Sequence, residues 1–455
     1  MSEKMKKIGV LLVLILLFTV VLSGCGSKAT ETPPEATEVP AIPEADEAGE
    51  VEPAESAAAG KVKISFALWD EVQKPVFDTL VKQFNEENPD IEVEVQLTPW
   101  SQYWTKLDAA AGAKTAPDVF WMNVYLPKYT DAGIIEPLDS YIEKDGIDKA
   151  QWVPSMLELY SDKGVQYGLP KGMDVVVVAY NKRILDKYDV AYPEEGWSWD
   201  DFVAKGAELR DKITEAGGDE YAVAIELDSQ QPSYLQLLVE DGLKIYSDDG
   251  LTTDLNDPNA VKAFADLVGL IDEKILPEYT VLSDTKGTDL FISEKAGLLY
   301  VGSWKASVLD SASFAENISL IPLPKRENNN VALGGISYVI SAFSEHKDAA
   351  WKLAKFLAGP ESNKLQAEER IEIPAYIAVQ DSYGPTFEHI DGSIFIEQSK
   401  SAVKYPIHRA LATTTQIISD HAATIFLKEV TPEEGVAAMA KDVQDAIDEY
   451  NETQK

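Results

Sequence analysis

Val62-Lys63-Ile64-Ser65-Phe66-Ala67-Leu68-Trp69-Asp70-Glu71 opens the folded part of this chain and sets its class. Residues 62–68 alternate as a strand with two unlike faces. The helix that follows has Pro75 near its first turn and Val76, Leu80 and Phe84 on one stripe. Ile91, Val93, Val95 and Leu97 then alternate with Glu92, Glu94 and Gln96, which predicts a second strand with one solvated face. A helix over Gln102 to Ala113 and a short buried strand over Asp118 to Trp121 complete a βαβαβ order. That order points to an α/β sheet whose helices are the crossovers. Ligands on such sheets sit where strands end at their carboxyl side. The rule nominates Trp69, Asp70 and Glu71, and then Asn123 and Tyr125.

Working outward, Asp174 precedes Val175-Val176-Val177-Val178, a run apolar at every position and so expected to be buried on both faces. Ser198 and Asp201 have the spacing of a capping box, and Trp197 and Trp199 beside them read as packing residues. Gly297 to Gly302 forms another short strand, delivering Ser303 and Trp304 at its end. Gly334-Gly335 is expected to open a strand over Ile336 to Ser341, a pair consistent with close backbone approach or with a turn. A helix is expected from Glu345 to Leu357, capped by Ser344 and ended by Gly359-Pro360. The last helix begins Thr431-Pro432-Glu433-Glu434, with Val436, Ala440, Val443, Ile447 and Tyr450 as the stripe that docks it.

Upstream of Val62 the sequence changes character. Lys4, Lys6 and Lys7 precede an uncharged run from Ile8 to Leu22, shorter than the ~20 residues that span a bilayer as a helix. This is the pattern of a secretory signal over 1–24, a membrane-anchor helix being the alternative. Leu22-Ser23-Gly24-Cys25 resembles the lipobox of bacterial lipoproteins, in which the cysteine carries a diacylglyceryl group. Residues 25–60 are Ala, Glu, Pro, Thr and Ser without an aromatic, and Lys28 faces nine acids. Such a stretch buries too little apolar area to offset chain entropy, and is expected to be a disordered acidic tether.

The whole chain has 455 residues and a net charge of −37, of which −31 belongs to the part from Lys61 onward. A surface that negative repels phosphate backbones, which argues against a nucleic-acid partner. One cysteine excludes an internal disulfide, and four scattered histidines argue against a zinc site. No glycine-rich phosphate loop, Gly-x-Ser-x-Gly elbow or His-Glu-x-x-His helix is present. Seventy-seven acids make carboxylate pairs inevitable, so a glycoside hydrolase is not excluded by residue type. The informative pattern is aromatic: Trp69, Trp121, Tyr125 and Trp304 fall at strand ends beside Asp70, Glu71, Asn123 and Asp174. Sugars present a ring face for stacking and a rim of hydroxyls that carboxylates and amides can bind. The same set would suit a polyamine through cation–π contacts and ion pairing.

Four stretches carry a family resemblance: Phe84 to Ile91, Ala116 to Asn123, Leu169-Pro170 through Tyr180-Asn181-Lys182, and Glu294 to Gly297 through Gly302-Ser303-Trp304. In that order they resemble the extracellular solute-binding lipoproteins of ATP-driven (ABC) importers, in the maltose-binding-protein-like branch that binds sugars. The resemblance implies an α/β, two-lobed periplasmic-binding-protein-like fold, each lobe a sheet flanked by helices, joined by hinge strands around a ligand cleft. It implies a first lobe over 61–170, a second over 171–296, a return to the first over 297–342 and a helical second-lobe part over 343–455. It further implies a monomer without catalysis or cofactor, tethered at the outer face of the cell membrane through Cys25, that hands a sugar to permease subunits. The residues it assigns to ligand are Trp69, Asp70, Glu71, Asn123, Tyr125, Asp174 and Trp304; the pair Gly334 and Gly335, as a place of close backbone approach, joins the candidate ligand residues. Many relatives have arginine after an Ile-Pro-Ala like that at 373–375; here Tyr376 follows, and Arg370 is expected to substitute. A polyamine receptor and a lipid-anchored glycoside hydrolase are the alternatives.

Overall fold

The computed structural model describes residues 60–453, so Cys25 and the expected signal and tether lie outside the described residues. Two sheets organise the chain. The first takes β1 (Val62–Leu68), β2 (Ile91–Leu97), β3 (Val119–Met122), β4 (Gly168–Asp174), β9 (Val331–Ile340), β10 (Ile373–Pro374) and β11 (Ala402–Lys404). Its order is β10-β4-β9-β3-β1-β2, with β11 added to β9. The second takes β5 (Val176–Asn181), β6 (Tyr221–Ala224), β7 (Ala296–Gly302) and β8 (Ile318–Ile321), in the order β8-β5-β7-β6.

The start of the chain forms as its pattern predicts. β1 pairs in parallel with β2 over its full length and with β3 on its other edge, and helices α1 (Lys74–Glu87) and α2 (Trp100–Gly112) are the crossovers. The buried stripe of α1 is Phe77, Leu80, Val81 and Phe84, which includes the expected Leu80 and Phe84, while Val76 is half-exposed and Phe77 takes its place. That set follows the 3.6-residue period more closely. After β3 the chain enters the short α3 (Leu126–Asp131).

Asp174 ends β4 in the first sheet, and Val176 begins β5 in the second. The chain therefore crosses between lobes at Asp174-Val175, and Val175 to Val178 are fully buried. It returns between β8 and β9, and crosses again between β11 and the closing helices α8 (Leu411–Phe426) and α9 (Pro432–Thr453). The expected lobe boundaries change accordingly. Residues 171–174 belong to the first sheet, while β7 and β8, expected in the first lobe, pair with β5 in the second. Helices α6 (Lys347–Leu357) and α7 (Pro360–Glu368), expected in the second lobe, pack on α1, and α6 also covers strands of the first sheet. Long-range pairing decides such membership, and an all-apolar strand fits either sheet equally well.

Caps explain several boundaries. Ser198 Oγ accepts from the Asp201 amide at 3.1 Å and the Asp201 carboxylate accepts from the Ser198 amide at 2.9 Å, starting α4 (Trp199–Glu215) with the expected box. Thr431 and Glu434 exchange the same bonds at the start of α9, both at 3.2 Å. Helix α6 begins at Lys347 rather than Glu345, with His346 at its N-cap; the Ser344 hydroxyl donates to Asp118 at 2.5 Å and accepts from the His346 amide at 3.1 Å, in the turn before the helix. The glycine pair lies inside β9, which starts at Val331. α9 docks on α8 and on α5 (Pro258–Asp272) through Val436, Met439, Ala440, Val443 and Ile447, while Tyr450 stays half-exposed. Trp197 and Trp199 are buried, as expected of packing residues. Among the described residues no helix is long and apolar enough to cross a membrane.

Candidate ligand-binding cleft

A cleft of about 610 Å³ lies where the two sheets meet. Trp69, Asp70, Glu71, Asn123, Tyr125, Asp174, Trp304, Gly334 and Gly335 all line it. The carboxyl ends of β1, β3, β4 and β7 converge there, which is what the strand-end rule requires.

Rings on the first-lobe side hold one another. Trp69 stands edge-on to Tyr103 and Trp121, both at 5.0 Å between centroids, and 5.3 Å from Trp100. Trp104 links this group to Tyr125 at 4.9 Å. Such edge-to-face geometry suits the quadrupoles of the rings and fixes their tilt. Trp121, expected among the strand-end aromatics, is fully buried and forms the backing of Trp69 rather than part of the cleft surface. Trp304 follows β7 and lies back over Gly302, where a Cβ would overlap its six-membered ring. Gly335 similarly lets β9 approach β4, since a Cβ there would strike the Gly172 carbonyl and Met156.

Most of the acids are already engaged. Asp70 Oδ1 accepts from the Val72 and Gln73 amides at 2.8 and 3.2 Å, which ties the carboxylate to the start of α1. Glu226 accepts from the Thr288 amide and hydroxyl at 3.2 and 2.8 Å. Asp228 pairs with Lys286 and Glu372 with Lys171. Asn123 Oδ1 accepts from the Tyr125 amide at 3.0 Å, an Asx turn that starts α3. Loss of water pushes the Asp174 carboxyl up from its ordinary range, with Lys171 and the Ser303 hydroxyl pulling the other way. Glu71 is exposed at the cleft wall.

Arg370 is not in the cleft. Its guanidinium donates to Asp310 at 2.6 Å, and Asp310 also accepts from the His389 amide at 2.8 Å. Tyr376 likewise packs on Trp152 at 5.6 Å between centroids. Sequence reasoning missed Trp100 and the run Glu226 to Gln231, together with Lys305, Tyr405, Thr415 and Ser419. The strand-end rule applied to β2 would have found Trp100, and applied to β6 would have found Glu226 to Gln231. Thr415 and Ser419 carry no local signal, because α8 meets the cleft only through tertiary packing.

Comparison with known proteins now bears on this geometry. The bacterial extracellular solute-binding protein family matches residues 69–364. The chain belongs to that family. Its members are binding proteins rather than enzymes, and they act outside the cytoplasm. A maltotriose-binding protein of Pyrococcus abyssi is 25% identical over 318 residues, covering 68% of this chain and 65% of its own. A galactooligosaccharide-binding protein of Bacillus subtilis is 27% identical over 323 residues, covering 68% and 72%. The fold is that of an ABC substrate-binding protein from Listeria monocytogenes solved with cycloalternan, at a TM-score of 0.77 and 24% identity, covering 85% of this chain and 99% of the other. The acarbose-binding GacH receptor of Streptomyces glaucescens matches at 0.75 and 21%, covering 85% and 99%.

Proposed function

We propose that the cleft captures a saccharide between its lobes and presents it to the permease of an ABC importer, without chemical change. The observation that carries this reading is the ring platform of Trp69 and Trp100 in the same cleft as amides and hydroxyls of Gln230, Gln231, Thr415 and Ser419. Rings stack on sugar faces, and the amides and hydroxyls both donate and accept, as sugar hydroxyls do. Relatives named for maltotriose and galactooligosaccharide support it. Asp174, Glu71 and Asn123 would bind hydroxyls, and Gly334 and Gly335 would offer only backbone, their missing side chains making room for Gln231 and for β4.

A polyamine is the second reading, favoured by six acids in the lining. Engagement of Asp70, Glu226, Asp228 and Glu372 within the protein weakens it. Calorimetry with mono- and oligosaccharides and with spermidine tests both. Saturable binding of a saccharide recovered intact supports the proposal; binding of spermidine alone, or recovery of cleaved sugar, overturns it. We propose further that Cys25 carries the membrane anchor. Wild type should take up labelled palmitate and partition with membranes, and Cys25→Ala should do neither; equal labelling would sink the anchor.

A further inference from the structure

Lys171 is an unusual residue to find under a cleft floor. Its strand, β4, carries a bulge: Gly172 pairs with Ile336 and Pro170 with Ser337, which leaves Lys171 without a partner across β9. Bulges re-aim side chains and are frequent beside functional sites. Here the side chain is completely buried, with its ammonium paired to Glu372 and 4.9 Å from the centroid of Trp121. Gly172 makes the room, since a Cβ there would come within 2.7 Å of Glu372 Oε1. A buried ammonium is costly unless anions and rings compensate it. The anions that do so are Glu372, Asp174 and Asp70, and all three line the cleft. Arg326 is the contrast: its partners Asp241 and Asp266 belong to the interior of the second lobe.

We infer that Lys171 is a positioning residue of the cleft, whose buried ammonium holds Glu372 in the lining and sets the field in which Asp174 meets ligand hydroxyls. The inference takes its ligand from the saccharide reading, but not its electrostatics. Burial pushes Asp174 up, Lys171 and Ser303 pull it down, and Asp70 pushes it up. Tyr160 and Tyr383 also face it, both kept neutral because burial raises their phenols. Glu226, Asp228 and Lys305 line the same cleft from the second lobe. The sign follows directly. Burial also pushes the Lys171 ammonium down to about 7, so its charge acts on Asp174 from about neutral pH downward; affinity falls as pH drops through the Asp174 midpoint, and removing the Lys171 charge moves that midpoint upward.

The experiment compares wild type, Glu372→Gln, which keeps the Lys171 charge, and Lys171→Met/Glu372→Gln, which leaves no unpaired buried ion. Carbon-13 NMR follows the Asp174 carboxyl against pH in the free full-length protein. Calorimetry follows affinity for maltotriose, or for the best saccharide of the screen above, over the same range. The midpoint should lie at least about one pH unit higher in the double variant than in Glu372→Gln, with the fall in affinity displaced equally. Glu372→Gln alone should lower the midpoint below that of wild type, because the freed ammonium then has only Asp174 and Asp70 to compensate it. Equal midpoints in the two variants, or a rise in Glu372→Gln, overturn the inference. Midpoints that differ while wild type binds no saccharide leave Lys171 in its role and overturn the saccharide reading. Saccharide binding with equal midpoints does the reverse.

Discussion

The first lobe offers the cleft the rings Trp69, Trp100 and Tyr125 and four of its six acids, and the second offers mainly amides and hydroxyls. The difference follows from how each wall is carried. Trp69, Asn123 and Tyr125 sit at the ends of β1 and β3, strands held in parallel pairs, and their rings brace one another through Trp104 and Trp121. The second wall comes from the stretch after the short β6 and from α8, tied together where Gln230 Nε2 donates to the Thr415 carbonyl at 2.9 Å and to Ser419 at 3.1 Å. Trp304 is the single tryptophan on that side, and it rests on backbone at Gly302 rather than on other rings. One wall is therefore rigid through packing, and the other is placed by hydrogen bonds. Stability and affinity should separate along this line.

The largest effect is expected behind the first wall. Trp121 is fully buried, and its ring meets Trp69 at 5.0 Å and Phe77 at 5.1 Å. Trp121→Ala should lower the free energy of unfolding by about 3–5 kcal/mol, read by denaturant titration. A variant that unfolds like wild type would show that the rings do not brace the wall, and the comparison would break.

Next comes the floor shared by both walls. Hydrogen bonds to a charged group are worth about 1.5–3 kcal/mol, or roughly 10- to 150-fold in affinity. Asp174→Asn keeps the shape and one acceptor, so weakening near the lower end of that range is expected for a neutral sugar. Unchanged affinity in calorimetry would remove Asp174 from the site.

Trp304→Ala should act on the second wall with a smaller effect. An aromatic contact beyond simple burial contributes about 0.5–1.5 kcal/mol, which is roughly two- to tenfold in affinity. The melting temperature should stay within a few degrees of wild type, because no ring packs on Trp304 among the described aromatic pairs. A large drop in melting temperature with affinity kept would make Trp304 a core residue and erase the distinction between the walls.

These two walls also differ in how far the sequence discloses them. The first is legible because alternation in 62–68 and 91–97 marks strands, and a strand end in an α/β sheet is a ligand position. Trp100 was within reach of the same rule. The second is opaque for physical reasons. β6 is only Tyr221 to Ala224, too short for a period to register. Thr415 and Ser419 sit on a helix whose approach to the cleft depends on packing against α9 and α5. Lobe membership of β7 and β8 is hidden for a related reason, since their pairing with β5 spans more than a hundred residues of chain. Arg370 failed because proximity in sequence to Ile373-Pro374 says nothing about Asp310, which claims its guanidinium.

The smallest expected effect is no effect, and it decides what the acids of the cleft are for. Asp228 and Glu372 have cationic partners, Glu226 is bonded to Thr288, and Asp70 is bonded to backbone amides. A neutral saccharide would meet these groups as fixed hydrogen-bonding dipoles, and no net charge would be neutralised on binding. Its affinity should then be the same at low and at high salt, within the precision of calorimetry. A polyamine would behave differently, because its ammonium groups would have to displace Lys286 or pair with Glu71 and Asp174. The Debye length shrinks from about 30 Å at 0.01 M salt to about 3 Å at 1 M, so that attraction would weaken steeply across the range. A steep loss of affinity with salt for the best ligand found would mean that the engaged acids are released on binding. It would also mean that the cleft is an ionic site rather than a polar one.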